Sequence, residues 1–234
     1  PEKEMIEKNT STKVTACVFD AYGTLFNFNA ATKKFDYQLG GSAEELNSIW
    51  RAKQIEYTWL STLMKKYSNF WELTGCALDF AMDSVGIEDK ELREGLMQAY
   101  LRLDAYPEIT DVLRILKAGG IKVAILSNGE PIMLENAVKS ANIGEFVDHI
   151  ISVDEISLYK PHPSVYQLAV DQLNIPVEQI CFQSSNSWDA LGAKSFGFKV
   201  VWCNRFGLVK ERLGKGFDYE TDDLTPLPKI IGLA

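Results

Sequence analysis

The sequence predicts an α/β protein, a doubly wound Rossmann-like parallel sheet core with an inserted helical cap subdomain, and three observations carry the prediction. Five short runs, 14–19, 121–126, 149–153, 180–183 and 200–203, are apolar throughout. Strands buried on both faces read this way, whereas half-exposed strands alternate. Helical patterns separate most of these runs, so the strands need crossover helices that cover the sheet. Residues 20–120 lie between the first run and the second, far more chain than one crossover requires.

Each element has a local signal. The first strand ends at Asp20-Ala21-Tyr22-Gly23-Thr24. In 43–104, Leu46, Ile49, Trp50, Tyr57, Leu60, Met64 and Tyr67 fall at helical spacings, which predicts an apolar helical stripe. Pro107 suits the first position of a helix whose face is Ile109, Val112, Leu113 and Leu116, stopped by Gly119-Gly120. Weaker helical patterns cover 131–141 (Met133, Ala137, Ala141) and 163–173 (Val165, Leu168, Ala169). The expected division is a core of 1–30 and 105–234 with a cap at 31–104. Internal repeats and low-complexity segments are absent from the sequence.

Composition narrows the function classes. The 234 residues are 46% hydrophobic and 24% charged, an ordinary globular make-up. The sequence has no apolar run approaching the ~18 residues that span a bilayer. The first thirteen residues, PEKEMIEKNTSTK, are too polar for the apolar core of a signal peptide. Membrane and secreted classes drop out, and a cytoplasmic setting is expected. Lys+Arg 24 against Asp+Glu 32 gives a net charge of −8, which repels phosphate backbones and argues against nucleic-acid partners. An anionic substrate would therefore need a few local cations. The four cysteines form no CxxC pair, and there are two histidines, so neither a disulfide framework nor a His-rich zinc site is expected.

Ligands of open parallel sheets bind beyond the carboxyl ends of the strands. Asp20 follows the first strand, Ser127-Asn128-Gly129 the second, a loop reaching Lys160 the third, and Ser184-Ser185-Asn186-Ser187-Trp188-Asp189 the fourth. An aspartate at the sheet rim suits a covalent nucleophile, although Asp20 could also simply cap its turn with Gly23. The polar groups at all four strand ends together favour a reactive site.

These residues resemble a known family. FDAYGTLF (19–26), ILSNG (125–129), YKP (159–161) and SSNSWDALGA (184–193) resemble the motifs of the haloacid dehalogenase superfamily. WRAKQIEYTWL (50–60) and YSNFW (67–71) resemble its (S)-2-haloacid dehalogenase branch. The resemblance runs in order through nearly the whole chain after residue 13. It implies cofactor-independent hydrolysis of short (S)-2-haloalkanoic acids to (R)-2-hydroxy acids, with no metal, commonly in a homodimer. Asp20 matches the nucleophile, which displaces halide with inversion and leaves an ester that water then hydrolyses. Thr24, Ser127, Lys160, Tyr166, Ser184, Asn186 and Asp189 match polar residues of the family site. Arg51 and Asn128 match groups assigned to the leaving halide, and Tyr22, Phe70 and Trp188 match its apolar wall.

Physical chemistry fits these roles. A cation opposite the nucleophile stabilises charge as it moves onto the halide, and Lys160 beside Asp20 would keep that carboxyl ionised. The N–H groups of Ala21 and Tyr22 and the Ser127 hydroxyl are expected to receive the substrate carboxylate. Asp189, with Lys160, is the expected base for water. Each residue also has a structural alternative: Asn186 and Asp189 as an N-cap pair, Lys160 as a solvated loop lysine, Tyr166 as core, Arg51 as a snorkelling surface residue and the aromatics as packing. His162 is assigned no role. Trp50, Tyr57, Trp59 and Tyr67 would permit an apolar interface.

Two rival functions fit the sequence less well. A magnesium-dependent phosphatase of the superfamily would carry a second aspartate where Tyr22 stands, and acidic ligands where Ser184-Ser185-Asn186 are neutral. A non-catalytic anion-binding module would have little need of Asp20, Arg51, Lys160 and Asp189 together. Ala52 and Ala21 depart from the more usual residues of the branch, and both are expected near the pocket.

Overall fold

The computed structural model describes residues 12–233; residues 1–11, including most of the polar leader, lie outside the described residues. The strands are β1 (Ala16–Phe19), β2 (Lys122–Ser127), β3 (His149–Ser152), β4 (Ile180–Ser184), β5 (Lys199–Cys203) and β6 (Tyr219–Thr221). The helices are α1 (Phe28–Thr32), α2 (Asp36–Leu39), α3 (Ala43–Leu63), α4 (Phe70–Val85), α5 (Lys90–Ala99), α6 (Ile109–Ala118), α7 (Pro131–Ser140), α8 (Pro163–Leu173), α9 (Ser187–Phe196) and α10 (Leu227–Ile230).

All six strands are parallel in the order β3-β2-β1-β4-β5-β6. The order reverses at β1, the switch point where α/β sheets open a crevice. Val123, Ala124, Ile125 and Leu126 are all buried, because helices cover both faces of the sheet. Each expected strand lies within about one or two residues of its predicted limits. The exception is β6, whose Tyr-Glu-Thr sequence has no apolar run because it pairs only with β5, at the edge. Pro107 does not open α6. It sits in the preceding turn, and the helix begins at Ile109 with Glu108 at its N-cap.

Helices α1–α5 are inserted between β1 and the crossover helix α6. Two antiparallel chain segments carry them: Asn27 N–H donates to Asp104 O and Tyr106 N–H to Leu25 O, around a bridge between Phe26 and Ala105. The stripe on α3 corrects the sequence expectation. Leu46 and Trp50 are buried, but the same face continues as Gln54, Thr58 and Ser61. Leu60 and Met64 face outward, 39% and 61% exposed. A polar face can be buried here because each group finds a partner, such as Thr58 Oγ1 on Ile55 O and Ser61 Oγ on Lys66 O. Trp50 packs inward and donates Nε1–H to Thr74 O at 2.9 Å, so it is unavailable to an interface.

Cys17, Cys181 and Cys203 are buried free thiols and Cys76 is an exposed one. Burial pushes Cys181 up to about 12 and Cys203 to about 11, as expected of small core residues. Among the described residues no helix is long and apolar enough to cross a membrane.

Candidate active site

β1 delivers Asp20 to the switch point. Its N–H still follows the sheet, donating to Gln183 O at 2.9 Å. Gly23, at φ 84°, then takes the left-handed conformation that turns the chain. The turn returns Thr24 to Asp20, and Thr24 Oγ1 donates to Asp20 Oδ2 at 3.0 Å. Ser184 Oγ donates to the same oxygen at 3.1 Å and Asn186 Nδ2 at 2.7 Å. Asp20 Oδ1 accepts from Lys160 Nζ at 3.1 Å. One carboxylate oxygen therefore holds three donors and the other holds one.

Lys160 is 1% exposed, which excludes the solvated-loop alternative. Its ammonium bridges Asp20 and Asp189 Oδ2, the latter at 2.8 Å. The fully buried Asp189 also accepts from Tyr166 Oη at 2.8 Å. Burial alone would raise the Asp20 pKa. The Lys160 and Arg51 charges, with hydrogen bonds from Lys160 and Asn186, overcome it and hold the carboxyl below its ordinary value. Asp189 goes the other way, to about 6, since burial and the Asp20 charge outweigh Lys160 and Tyr166. Burial opposes the charge on Lys160, but the two carboxylates raise its pKa and keep it protonated.

A small cavity opens above Asp20. Its polar border is Asp20, Arg51, Ser127, Asn128 and Asn186, its apolar border is Tyr22, Ile55, Phe70 and Trp188, and Thr58, whose hydroxyl is turned back to Ile55 O, completes the lining. Tyr22 stacks on Phe70 with ring centroids 5.8 Å apart, and Trp188 meets Trp59 edge-on at 5.4 Å. Arg51 reaches in from α3, donating to Gln54 Oε1 at 2.6 Å and Asn186 Oδ1 at 3.2 Å. Ser127 Oγ accepts from Gly129 N–H and Asn128 Oδ1 from Lys160 N–H. The Ser127 hydroxyl proton and the Asn128 amide protons remain to donate.

Several expected residues are placed differently. Thr24, Ser184, Lys160, Asp189 and Tyr166 lie beneath the cavity and do not border it. Ser184 and Tyr166, which match polar residues of the family site, hold Asp20 and Asp189. The Ala21 side chain is fully buried, leaving only its backbone for a ligand. Ala52 is exposed and absent from the lining. Asn186 occupies the N-cap of α9, but its side chain makes no cap bond; its Oδ1, the atom that could accept one, faces Arg51, and Nδ2 donates to Asp20. His162 does have a role, capping α8 through Nδ1 to Ser164 N–H.

The sequence reading missed Ile55, Thr58, Gln54 and Ser185. Ser185 N–H donates to Thr24 Oγ1 at 2.8 Å, fixing which way that hydroxyl points. Gln54 had a usable signal, since a residue three after Arg51 on a helix shares its face. The phosphatase donor set is missing: Tyr22 stands where a second carboxylate would be, and Asn186 reaches Asp20 as a neutral amide.

Fold and site together define a hydrolytic enzyme on a parallel-sheet core, with an ionised strand-end carboxylate beneath an aromatic-walled cavity. The haloacid dehalogenase-like hydrolase family model matches residues 14–197, and the chain belongs to that family. It is 47% identical over 219 residues to (S)-2-haloacid dehalogenase 1 of Pseudomonas sp. (strain CBS-3), covering 93% of this chain and 96% of that protein. Over 213 residues it is 46% identical to (S)-2-haloacid dehalogenase 4A of Burkholderia cepacia, covering 91% and 92%. The fold is similar to L-2-haloacid dehalogenase from Xanthobacter autotrophicus with chloropropionic acid covalently bound. That match has a TM-score of 0.85 at 33% identity, covering 94% of this chain and 100% of that one.

Proposed function

We propose that this enzyme hydrolyses the carbon–halogen bond of short (S)-2-haloalkanoic acids, giving (R)-2-hydroxy acids through an ester on Asp20. The observation that carries the reading is one aromatic-walled cavity bordered by both the ionised Asp20 and the Arg51 cation. The names of the relatives and the covalently bound chloropropionic acid of the Xanthobacter enzyme support it.

Asp20 Oδ1 is the attacking atom, because Oδ2 already holds three donors. Its electron pair forms the bond to C2 of the substrate while the carbon–halogen pair leaves with the halide toward Arg51. Charge moves across the cavity in this step, so a fixed cation on the far side favours the transition state over the ground state. The substrate carboxylate is received by the Ser127 hydroxyl and the N–H groups of Ala21 and Tyr22.

In the ester, Oδ2 becomes the carbonyl oxygen. Thr24, Ser184 and Asn186 then form an oxyanion hole when water attacks the Asp20 carbonyl carbon. The water proton passes by way of Lys160 to Asp189. The bond from that carbon to Oδ1 breaks, Oδ1 leaves as the hydroxyl oxygen of the product, and the proton held by Asp189 returns to neutralise the departing alkoxide. The second water proton is lost from the new carboxyl to solvent, so Asp20 is regenerated as a carboxylate with one oxygen from water.

Racemic 2-chloropropionate in the presence of EDTA tests the reading. Chloride release with consumption of the (S) acid and accumulation of (R)-lactate is expected. No chloride from any short 2-haloacid, with magnesium-dependent phosphate release from phosphoesters, would overturn it.

A further inference from the structure

The cation that receives the halide is held by a buried polar network inside the inserted helices. Gln54 is 1% exposed, Thr74 fully buried and Tyr100 3% exposed. Thr74 Oγ1 donates to Phe70 O at 2.6 Å, so its hydroxyl proton is committed and only its lone pairs face Gln54. Gln54 Nε2 donates to that hydroxyl at 2.8 Å. This fixes the amide so that Oε1 faces Arg51, whose guanidinium can only donate. Arg51 Nη1 donates to Oε1 at 2.6 Å, and Tyr100 Oη lies beside both Gln54 amide atoms, at 3.1 and 3.2 Å. The guanidinium also lies over the Phe28 ring, 5.4 Å from its centroid. The network ties α3, α4 and the end of α5 to one side chain.

The chemistry of the acceptors matters as much as their positions. Gln54 Oε1 and Asn186 Oδ1 are both neutral. A carboxylate at either place would hold Arg51 as firmly, but it would cancel the charge that the departing halide needs. We propose that Gln54, oriented by Thr74 and Tyr100, is a positioning residue that aims Arg51 at the leaving halide while leaving its charge uncancelled. The inference rests on the proposed halide role of Arg51, and it makes Gln54 a determinant of carbon–halogen cleavage and not of ester hydrolysis.

Gln54→Glu is the decisive variant, since it keeps the shape of the side chain and adds a negative charge. Three quantities would be measured: inhibition of 2-chloropropionate turnover by sodium bromide, the single-turnover rate of chloride release, and the rate of hydrolysis of the ester once formed. Gln54→Glu is expected to raise the bromide inhibition constant and slow chloride release by about tenfold or more, with ester hydrolysis within about twofold of the parent. Arg51→Lys should move the same two quantities. Equal slowing of both chemical steps would indicate a merely structural role and overturn the inference. So would unchanged bromide inhibition and chloride release in Gln54→Glu when Arg51→Lys alters both. If Arg51→Lys alters neither, the halide role of Arg51 fails and the inference falls with it. Should Gln54→Glu not fold, Tyr100→Phe removes one hydroxyl and decides by the same measurements, with an expected change of about threefold.

Discussion

Lys160 serves two carboxylates with one ammonium, 3.1 Å from Asp20 and 2.8 Å from Asp189, and this sharing separates their behaviour. Asp20 also has Arg51 and the Asn186 amide and stays below its ordinary pKa; Asp189 is buried deeper and rises to about 6. In the proposed mechanism, esterification of Asp20 changes the balance, because it removes the negative charge that helped raise Asp189 and leaves Lys160 to Asp189 alone. The Asp189 pKa must then fall. A base must be ionised to act, so the acid limb of ester hydrolysis is expected below pH 6. Single-turnover hydrolysis followed across pH 4–8 checks this, and a limb at or above 6 would contradict it. Asp189→Asn should stop the cycle after the first step: about one equivalent of chloride per site, then turnover reduced about 10²–10⁴-fold. Asp20→Asn should release none.

At the scale of elements, α9 shows how a helix can carry a carboxylate, the proposed base Asp189, so deep in the protein. Asp189 lies in its first turn, and one turn on, Gly192 lets Tyr166 and Pro161 approach. A Cβ on Gly192 would lie 2.5 Å from Tyr166 Oη and 2.6 Å from Pro161 Cβ. Gly192→Ala would gain about 1 kcal/mol in helix propensity. The overlap would cost about 1–3 kcal/mol because both neighbours are packed, and Pro161 follows Lys160 directly. Overlap wins, so the midpoint of thermal unfolding should fall by a few degrees and the second chemical step should slow. A higher midpoint with full activity would show that α9 can move freely.

Across the whole molecule, the inserted helices meet the core near the site as well as through the two linking segments. Tyr67 stacks on Tyr159 and donates to Asp154 at 2.8 Å, while Tyr159 Oη donates to Ser68 O at 2.6 Å. These contacts hold the α3–α4 connection against the residue preceding Lys160. The outer side of α3 leaves Trp59, Leu60, Leu63 and Met64 exposed, an apolar stripe that fits the homodimer implied by the family resemblance. Light scattering of the parent protein should report two chains. Leu63→Asp combined with Met64→Asp should report one, with the cavity residues untouched. A monomeric parent would remove the need for that face to be covered.

The sequence determined the parallel α/β class, the strand ends and most of the polar residues gathered there, because buried strands must be continuously apolar and chemistry must follow them. It also placed Asp20, Lys160 and Arg51 in the site through motifs that read locally. Tertiary structure alone decided the rest. Lys160 lies 140 residues from Asp20 in the chain, yet Nζ bonds Oδ1. Only the fold shows that Asp189 lies beneath the cavity, or that Asn186 turns Nδ2 to Asp20 and Oδ1 to Arg51 and not to its own helix. Gln54 reads as an ordinary polar helix residue until α4 and Tyr100 close over it. Periodicity records which side of an element is apolar; it carries no information about which partners will satisfy a buried polar group, because those arrive from distant parts of the chain.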